Sequence, residues 1–132
     1  MLLDANIFFL PVQHRFPLEA EVARLRPGAV LGVPRSVLSE LDRLVREETP
    51  SARAARALAS RVRAVPSEGR GDAAILAAAV RLAASVVTAD RELGVRLRAC
   101  GVDVLVPRDR HRLEVRPARA RRPPPVRRPD RR

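Results

Sequence analysis

Short apolar segments alternate with amphipathic helical segments along most of this sequence, and this order constrains the fold more than any other feature. Each apolar segment has the length of a buried β-strand, and the stretches between them carry apolar residues at helical spacing. Strands that alternate with helices form parallel βαβ units with right-handed crossovers. We therefore expect an α/β fold, a three-layer α/β/α sandwich with a mainly parallel central sheet.

The predicted strands and helices are short and are separated by turn-forming residues. Strands are predicted at the N-terminus as far as Asp4, and at 29–33, 85–88 and 102–106. Helices are predicted at 17–26, from Pro34 onward, at 50–63, at 72–84 and at 91–99. The helix at 72–84 is almost wholly apolar, and such a helix is expected to be deeply buried.

The length of 132 residues allows one domain with a hydrophobic core, which we predict at 1–114. The net charge of +11 lies mainly beyond it, because residues 1–106 carry 15 Arg against 12 acids and residues 107–132 carry 11 Arg against 3 acids. Residues 115–132 form an Arg/Pro-rich tail with too little apolar content to fold, so we predict disorder there. Such a tail suits either an electrostatic tether to nucleic acid or a solvated terminus.

The sequence also predicts the compartment of the protein. No apolar run approaches the ~20 residues that span a bilayer, and the N-terminus lacks the pattern of a signal peptide. We therefore expect a cytoplasmic protein that does not associate with membranes. The single cysteine, Cys100, is predicted to be a small buried residue near a helix end, and His14 and His111 are predicted to lie on the surface.

Four acidic residues are predicted to converge at one edge of the sheet. Asp4 and Asp90 follow predicted strands, Asp72 begins the apolar helix, and Glu40 borders the apolar stripe of its helix. Ligands of parallel sheets bind outside the carboxyl ends of the strands. Four carboxylates there would repel one another unless they held a hard divalent cation such as Mg²⁺ or Mn²⁺. Glu92 is a fifth candidate, which we expect to be solvated.

Each of these acids also has a purely structural interpretation. Asp72 and Asp90 are good helix N-caps, Glu40 suits a solvated helix surface, and Asp4 suits a turn. Other acidic or phosphate sites are excluded by the sequence. A phospho-receiver needs a lysine, which is absent, and a haloacid-dehalogenase-type phosphatase needs Asp-x-Asp, where this chain has Asn6. Gly-rich phosphate loops and Gly-x-Ser-x-Gly elbows are missing as well.

The order and spacing of these acidic motifs resemble those of the PIN-domain nucleases over about residues 2–114. The segments that carry the resemblance are Leu3-Asp4-Ala5-Asn6, Val37-Leu38-Ser39-Glu40-Leu41, Gly71-Asp72-Ala73-Ala74-Ile75 and Val87-Thr88-Ala89-Asp90-Arg91-Glu92-Leu93. The resemblance implies a metal-dependent ribonuclease in which Asp4, Glu40, Asp72 and Asp90 bind Mg²⁺ or Mn²⁺ and position the attacking water. It implies further that Asn6 and Thr88 are supporting polar residues.

Within that family, three segments are similar to archaeal relatives of the small-subunit processome nuclease, which cuts pre-ribosomal RNA. These segments are 9–13, Val33-Pro34 and 91–102. This similarity implies RNA, and pre-rRNA in particular, as substrate. VapC-type toxins share the acidic residues and are the alternative, as is a PIN-like module that binds RNA without cutting it. A homodimer or a partner protein is compatible with each of these readings.

Overall fold

The computed structural model of the protein describes residues 1–119. Within these residues a six-stranded sheet forms the middle of the protein. Its strands lie in the order β3-β2-β1-β4-β5-β6. The first five strands pair in parallel, and β6 runs antiparallel to β5. Their bounds are Leu2–Leu3 (β1), Gly32–Pro34 (β2), Arg63–Val65 (β3), Val86–Val87 (β4), Val104–Pro107 (β5) and Leu113–Arg116 (β6).

Within residues 1–119 six α-helices connect the strands, and the predicted α/β/α sandwich with a mainly parallel sheet is confirmed. The helices are Phe9–His14 (α1), Leu18–Leu25 (α2), Arg35–Arg46 (α3), Ala52–Ala59 (α4), Gly71–Leu82 (α5) and Arg91–Ala99 (α6). A 3-10 helix at Ala5–Phe8 joins β1 to α1. No helix within residues 1–119 has both the length and the apolar character needed to cross a bilayer.

The two strands at the edges of the sheet, β3 and β6, were not predicted. The sequence interpretation extended a helix to Arg63, whereas α4 ends at Ala59 and Arg63 begins β3. Arg63 and Ala64 are exposed, and β6 buries only Leu113. Edge strands pair on one side only and need little apolar surface, so their sequences lack the pattern of a buried strand. Because β6 continues to Arg116, ordered structure extends past the predicted domain end at 114; the predicted tail beyond 119 lies outside the described residues.

The apolar helix α5 is buried on one face only, and the prediction that it is deeply buried was wrong. Its buried residues are Ala74, Ile75, Ala78 and Ala79, while Val80 is 54% exposed and Leu82 is 46% exposed. Alanine accounts for most of its apolar character, and exposing so small a side chain costs little. The apolar composition of α5 therefore predicted more burial than the structure shows.

The remaining surface predictions had mixed outcomes. Cys100, predicted to be buried, is exposed, because it follows the last turn of α6 on the solvent side. His14 and His111 are exposed, as predicted. Gly101, with φ +83°, follows α6 and ends that helix as its sequence position indicated.

The core lies on both sides of β1 and β4 and is almost wholly aliphatic, with Phe8 and Phe16 as its buried aromatic residues. Leu3 pairs with Val87, and both are fully buried. Burying side chains of this size stabilises the fold by roughly 1.5–3 kcal/mol each. Because this register is set by the core, the residues that follow the two strands, Asp4 and Thr88, emerge side by side.

A buried carboxylate fastens the edge strand β6 to α2. Glu21 is 9% exposed, and its oxygens accept hydrogen bonds from the guanidinium of Arg24 (2.9 and 3.0 Å) and from the backbone N–H of Leu113 (2.9 Å). Arg24 also donates to the carbonyl of Leu113 (3.0 Å). These bonds satisfy the backbone of an edge strand, and sequence reasoning missed them because the two segments lie 92 residues apart.

We predict that Glu21→Gln destabilises the protein at neutral pH and that the effect shrinks in acid. The bonds from Arg24 and Leu113 lower the pKa of Glu21 from 4.5 to about 2. Since the folded pKa lies below the unfolded one, this stabilisation is present above pH 4.5 and is lost as the pH falls toward 2. Urea unfolding at neutral and at acidic pH measures the difference between variant and wild type.

Glu19→Gln is the matched control, because Glu19 lies on the same helix and is exposed. Its unfolding midpoint should follow the wild type at both pH values. An equal destabilisation by Glu19→Gln, or a Glu21 effect that does not shrink in acid, would contradict this account of the α2–β6 contact.

Candidate active site

The carboxyl ends of β1 and β4 meet where the strand order of the sheet reverses. From β1 the chain proceeds to β2 and β3 on one side, returns to β4, and proceeds to β5 on the other side. Ligands of open α/β sheets bind in the crevice at such a switch point. Asp4 directly follows β1, and Thr88, Ala89 and Asp90 directly follow β4.

Asp4 is nearly buried, at 5% exposed, and three donors hold its carboxylate. Oδ1 accepts from the backbone N–H of Ala5 at 2.7 Å. Oδ2 accepts from the hydroxyl of Thr88 at 2.6 Å and from Nδ2 of Asn6 at 3.1 Å. Asp4 thus also caps the 3-10 helix that follows β1, which agrees with its structural interpretation as a turn former. Its orientation is set before any ligand binds.

Asn6 and Thr88, the predicted supporting residues, connect the ends of the two strands. The fully buried hydroxyl of Thr88 donates to Asp4 and accepts from the backbone N–H of Asp90 at 3.0 Å. Oδ1 of Asn6 accepts from the backbone N–H of Ala89 at 3.0 Å. These two side chains therefore link the loop after β4 to the loop after β1 by hydrogen bonds.

Asp90 is the N-cap of α6, as its position in the sequence indicated. Its Oδ1 accepts from the backbone N–H of Leu93 at 3.1 Å. In the described part of the chain Oδ2 accepts no hydrogen bond, so one carboxylate oxygen serves the helix and the other is available to a ligand. Glu92, two residues later, is exposed, as predicted.

Asp72 lies in the first turn of α5, but it is not the N-cap that the sequence suggested. Arg70 occupies the N-cap position, and Asp72 is the second residue of the helix. Gly71, between them, has φ +62°, a conformation that glycine adopts without strain. This backbone turn carries Asp72 to the same end of the sheet as Asp4.

Glu40 projects from α3 at the border between core and solvent, where the sequence predicted it. The side chain is 40% exposed, and its nearest cation is Arg43, one turn further, at 3.9 Å. Arg43 makes its closer ion pair, at 2.9 Å, with Glu47. Sequence reasoning did not single out Arg43, although its i, i+3 spacing from Glu40 was the available signal.

Asp4 lies within electrostatic range of each of the other three acids. Burial, and then repulsion from Asp72 and Asp90, raises the pKa of Asp4 above 3.8, against the hydrogen bonds from Thr88 and Ala5. Burial and repulsion from Asp4 and Asp72 also raise the pKa of Glu40 above 4.5, which Arg43 partly offsets. The structure therefore brings the predicted acids together as a repulsive cluster.

The chemistry of this cluster suits a hard cation. All of its donors are carboxylate oxygens, the ligands that Mg²⁺ and Mn²⁺ prefer, and a positive charge would relieve the repulsion between Asp4 and its neighbours. As the side chains stand in residues 1–119, no three Asp, Glu, His or Cys residues are arranged to hold one ion directly. Mg²⁺ keeps several waters and is usually bound through one or two carboxylates, so this spacing is compatible with it.

Comparison with known proteins agrees with this architecture. The chain is similar to a solved structure of the PIN domain endonuclease Utp24, with a TM-score of 0.73 and 21% sequence identity over 88% of this chain and 90% of that chain. Comparison with curated proteins gives no match. The model of the family described as PIN like domain matches residues 1–110. Since that match covers most of the sequence, this chain belongs to the PIN-like domain family.

Proposed function

We propose that this protein is a metal-dependent endoribonuclease that hydrolyses RNA phosphodiesters. Its active site would be formed by Asp4, Glu40, Asp72 and Asp90. The observation that carries the proposal is the nearly buried carboxylate of Asp4 at the switch point of the sheet, joined through the hydroxyl of Thr88 to the loop that holds Asp90. Capping accounts for one oxygen of Asp90 and for the bond from Ala5 to Asp4, but not for the burial of Asp4 within electrostatic range of Asp72 and Asp90. Clustered carboxylates with perturbed pKa values in a crevice are typical of functional sites.

Asp4 and Asp90 are the residues that would bind Mg²⁺ or Mn²⁺ directly, with Glu40 and Asp72 acting directly or through water. Such a cation supplies Lewis acidity when bound, which lowers the pKa of water and offsets the charge that develops on the phosphate. The hydrogen bonds from Thr88, Asn6 and Ala5 hold Asp4 in one orientation, so little reorganisation is needed when the substrate arrives.

Glu40 is the residue best suited to orient and deprotonate the attacking water. It is half-exposed, so water reaches it, and its raised pKa makes its carboxylate a stronger base than an ordinary glutamate. Asp72, whose charge contributes to that raised pKa, is proposed to act with Glu40 on the same water. The two side chains would then direct the water oxygen toward the phosphorus.

RNA is the proposed substrate, with pre-ribosomal RNA as the first to test. The resemblance of the four acidic motifs to PIN-domain ribonucleases supports this choice. The net charge of +11 favours a polyanion. Three Phe and no Trp or Tyr provide little surface on which bases could stack, so contacts to the backbone should dominate.

Incubation with end-labelled RNA and with DNA of the same sequence tests the proposal. We expect internal cuts in the RNA with Mg²⁺ or Mn²⁺ and none in EDTA. An Asp4→Asn preparation purified in parallel controls for contaminating nuclease. Equal cutting in EDTA, or no cutting of any RNA by the folded protein, would refute a metal-dependent nuclease; cutting of DNA alone would refute the choice of RNA.

A further inference from the structure

Two clefts lined by arginines border the acidic cluster. The first, the Glu40 cleft, has a volume of about 640 Å³ and lies between α3 and the turn before α5. Its lining contains three arginines, Arg43, Arg46 and Arg70, and one acid, Glu40. Its lining includes Glu40 itself and Gly71, the neighbour of Asp72, so the cleft adjoins the acidic cluster.

The second cleft, the Asp90 cleft, also has a volume of about 640 Å³ and lies between α6 and the strands β5 and β6. It contains Asp90 and Glu114, and four arginines line it: Arg91, Arg98, Arg108 and Arg116. Arg116 pairs with Glu114, and Arg98 donates to the carbonyl of Pro117, so two of the four are already engaged.

The two clefts lie on opposite sides of Asp4 along the edge of the sheet. Glu40 belongs to the helix that follows β2, Asp4 follows β1, and Asp90 follows β4, and these strands are neighbours in that order. The two clefts have no lining residue in common. Each cleft contains one of the acids, Glu40 or Asp90, so a strand that filled both clefts would follow a path over Asp4.

Each cleft carries two arginines with no competing partner. Among residues 1–119, the side chains of Arg46 and Arg70 in the Glu40 cleft, and of Arg91 and Arg108 in the Asp90 cleft, form neither a hydrogen bond nor an ion pair. A guanidinium can bind a phosphate through two parallel hydrogen bonds. All four residues are exposed, so they can meet a ligand without first breaking an internal contact.

We infer that one single-stranded polynucleotide binds across both clefts, with its phosphates held by Arg46 and Arg70 on one side of the cut and by Arg91 and Arg108 on the other. This inference rests on the proposed function for the position of the cut. A polyanion is repelled by the acidic cluster itself, and cations on both sides supply the attraction that keeps a phosphate over it. The clefts contain no aromatic residue, so binding should tolerate any base sequence.

The test measures binding of a labelled, unstructured RNA to the full chain in EDTA, so no cleavage is needed. Two double variants are compared, Arg46→Gln with Arg70→Gln and Arg91→Gln with Arg108→Gln. The matched control, Arg35→Gln with Arg96→Gln, removes two exposed arginines from α3 and α6 outside the clefts. The arginines beyond residue 119 stay in every variant, so their contribution to binding cancels.

We expect each cleft variant to raise the Kd roughly tenfold and to reduce the slope of log Kd against log salt by about 1.4, since each phosphate contact to a single strand contributes about 0.7. The control should change the Kd by less than about twofold. Combining the two cleft variants should add their effects on log Kd, because distant sites that hold one ligand act independently.

Cleft variants that bind like the control would overturn the inference, and an effect from only one cleft would overturn the two-sided path. Failure of the proposed function has a different signature. A protein that binds RNA through both clefts but cuts none with Mg²⁺ or Mn²⁺ would refute the nuclease while supporting the path. A protein that cuts RNA, but whose cleft variants bind RNA as tightly as the wild type, would support the nuclease and refute the path.

Discussion

Replacing Asp4 with Asn is expected to slow RNA cleavage by roughly 10²- to 10³-fold, the range for losing one group that helps to stabilise the charge developing in the transition state. Asn is nearly isosteric, but it is neutral and replaces one acceptor oxygen with a donor. Both oxygens of Asp4 accept hydrogen bonds, Oδ1 from Ala5 and Oδ2 from Thr88 and Asn6, so the amide nitrogen faces a donor in either orientation and the variant loses a hydrogen bond as well as the charge. The measurement is the single-turnover cleavage rate at saturating Mn²⁺, with RNA binding measured separately in EDTA.

Two companion variants separate chemistry from folding. Asp90→Asn should show a comparable loss and remain folded, because Asn is an equally good N-cap and keeps the bond from the backbone of Leu93. Glu92→Gln, an exposed change two residues further, should leave the rate within about twofold of wild type, as surface changes away from a site usually do. Folded Asp4→Asn and Asp90→Asn proteins that cut at the wild-type rate would contradict the assignment of the site.

Replacing Thr88 with Val is expected to slow cleavage by roughly 10- to 100-fold, the usual cost of removing a residue that orients a metal-binding side chain. Valine fills the same volume but lacks the hydroxyl that donates to Asp4 and accepts from Asp90. Because Thr88 acts through these neighbours, it is a positioning residue. The variant should also need more Mn²⁺ for half-maximal rate, a change that a purely structural role would not produce.

Thr88→Ser is the matched control for that prediction. Serine keeps the hydroxyl and removes only a buried methyl group, which costs about 1 kcal/mol of stability. Its cleavage rate and its Mn²⁺ requirement should stay close to those of the wild type. If Ser and Val were equally slow, packing rather than the hydroxyl would explain the effect.

The centre of this fold was predictable from the sequence because its signals are local. The buried strands β1 and β4 are short apolar runs that end in polar residues, which identified Asp4 and Asp90 as strand-end acids. Glu40 was recognisable at the margin of an apolar stripe. The interpretation of Asp72 as an N-cap was wrong, because the helix begins one residue before it, at Gly71, and Arg70 is the N-cap.

The features that escaped prediction depend on contacts between distant segments. Strands β3 and β6 lie at the sheet edges, where exposed residues such as Arg63 give no apolar pattern. The hydrogen bond between Glu21 and the backbone of Leu113 joins two segments, and the local sequence of neither one indicates this contact. The two arginine-lined clefts combine residues from several elements, so neither is visible as a motif.

A crystal of the full chain grown with Mn²⁺ would show whether Asp4, Glu40, Asp72 and Asp90 form a metal centre. We expect an anomalous peak at the switch point, within about 2.0–2.2 Å of a carboxylate oxygen of Asp4 or Asp90, distances typical of such cations. A peak bound elsewhere, or no peak at a Mn²⁺ concentration that supports cleavage, would contradict this metal centre.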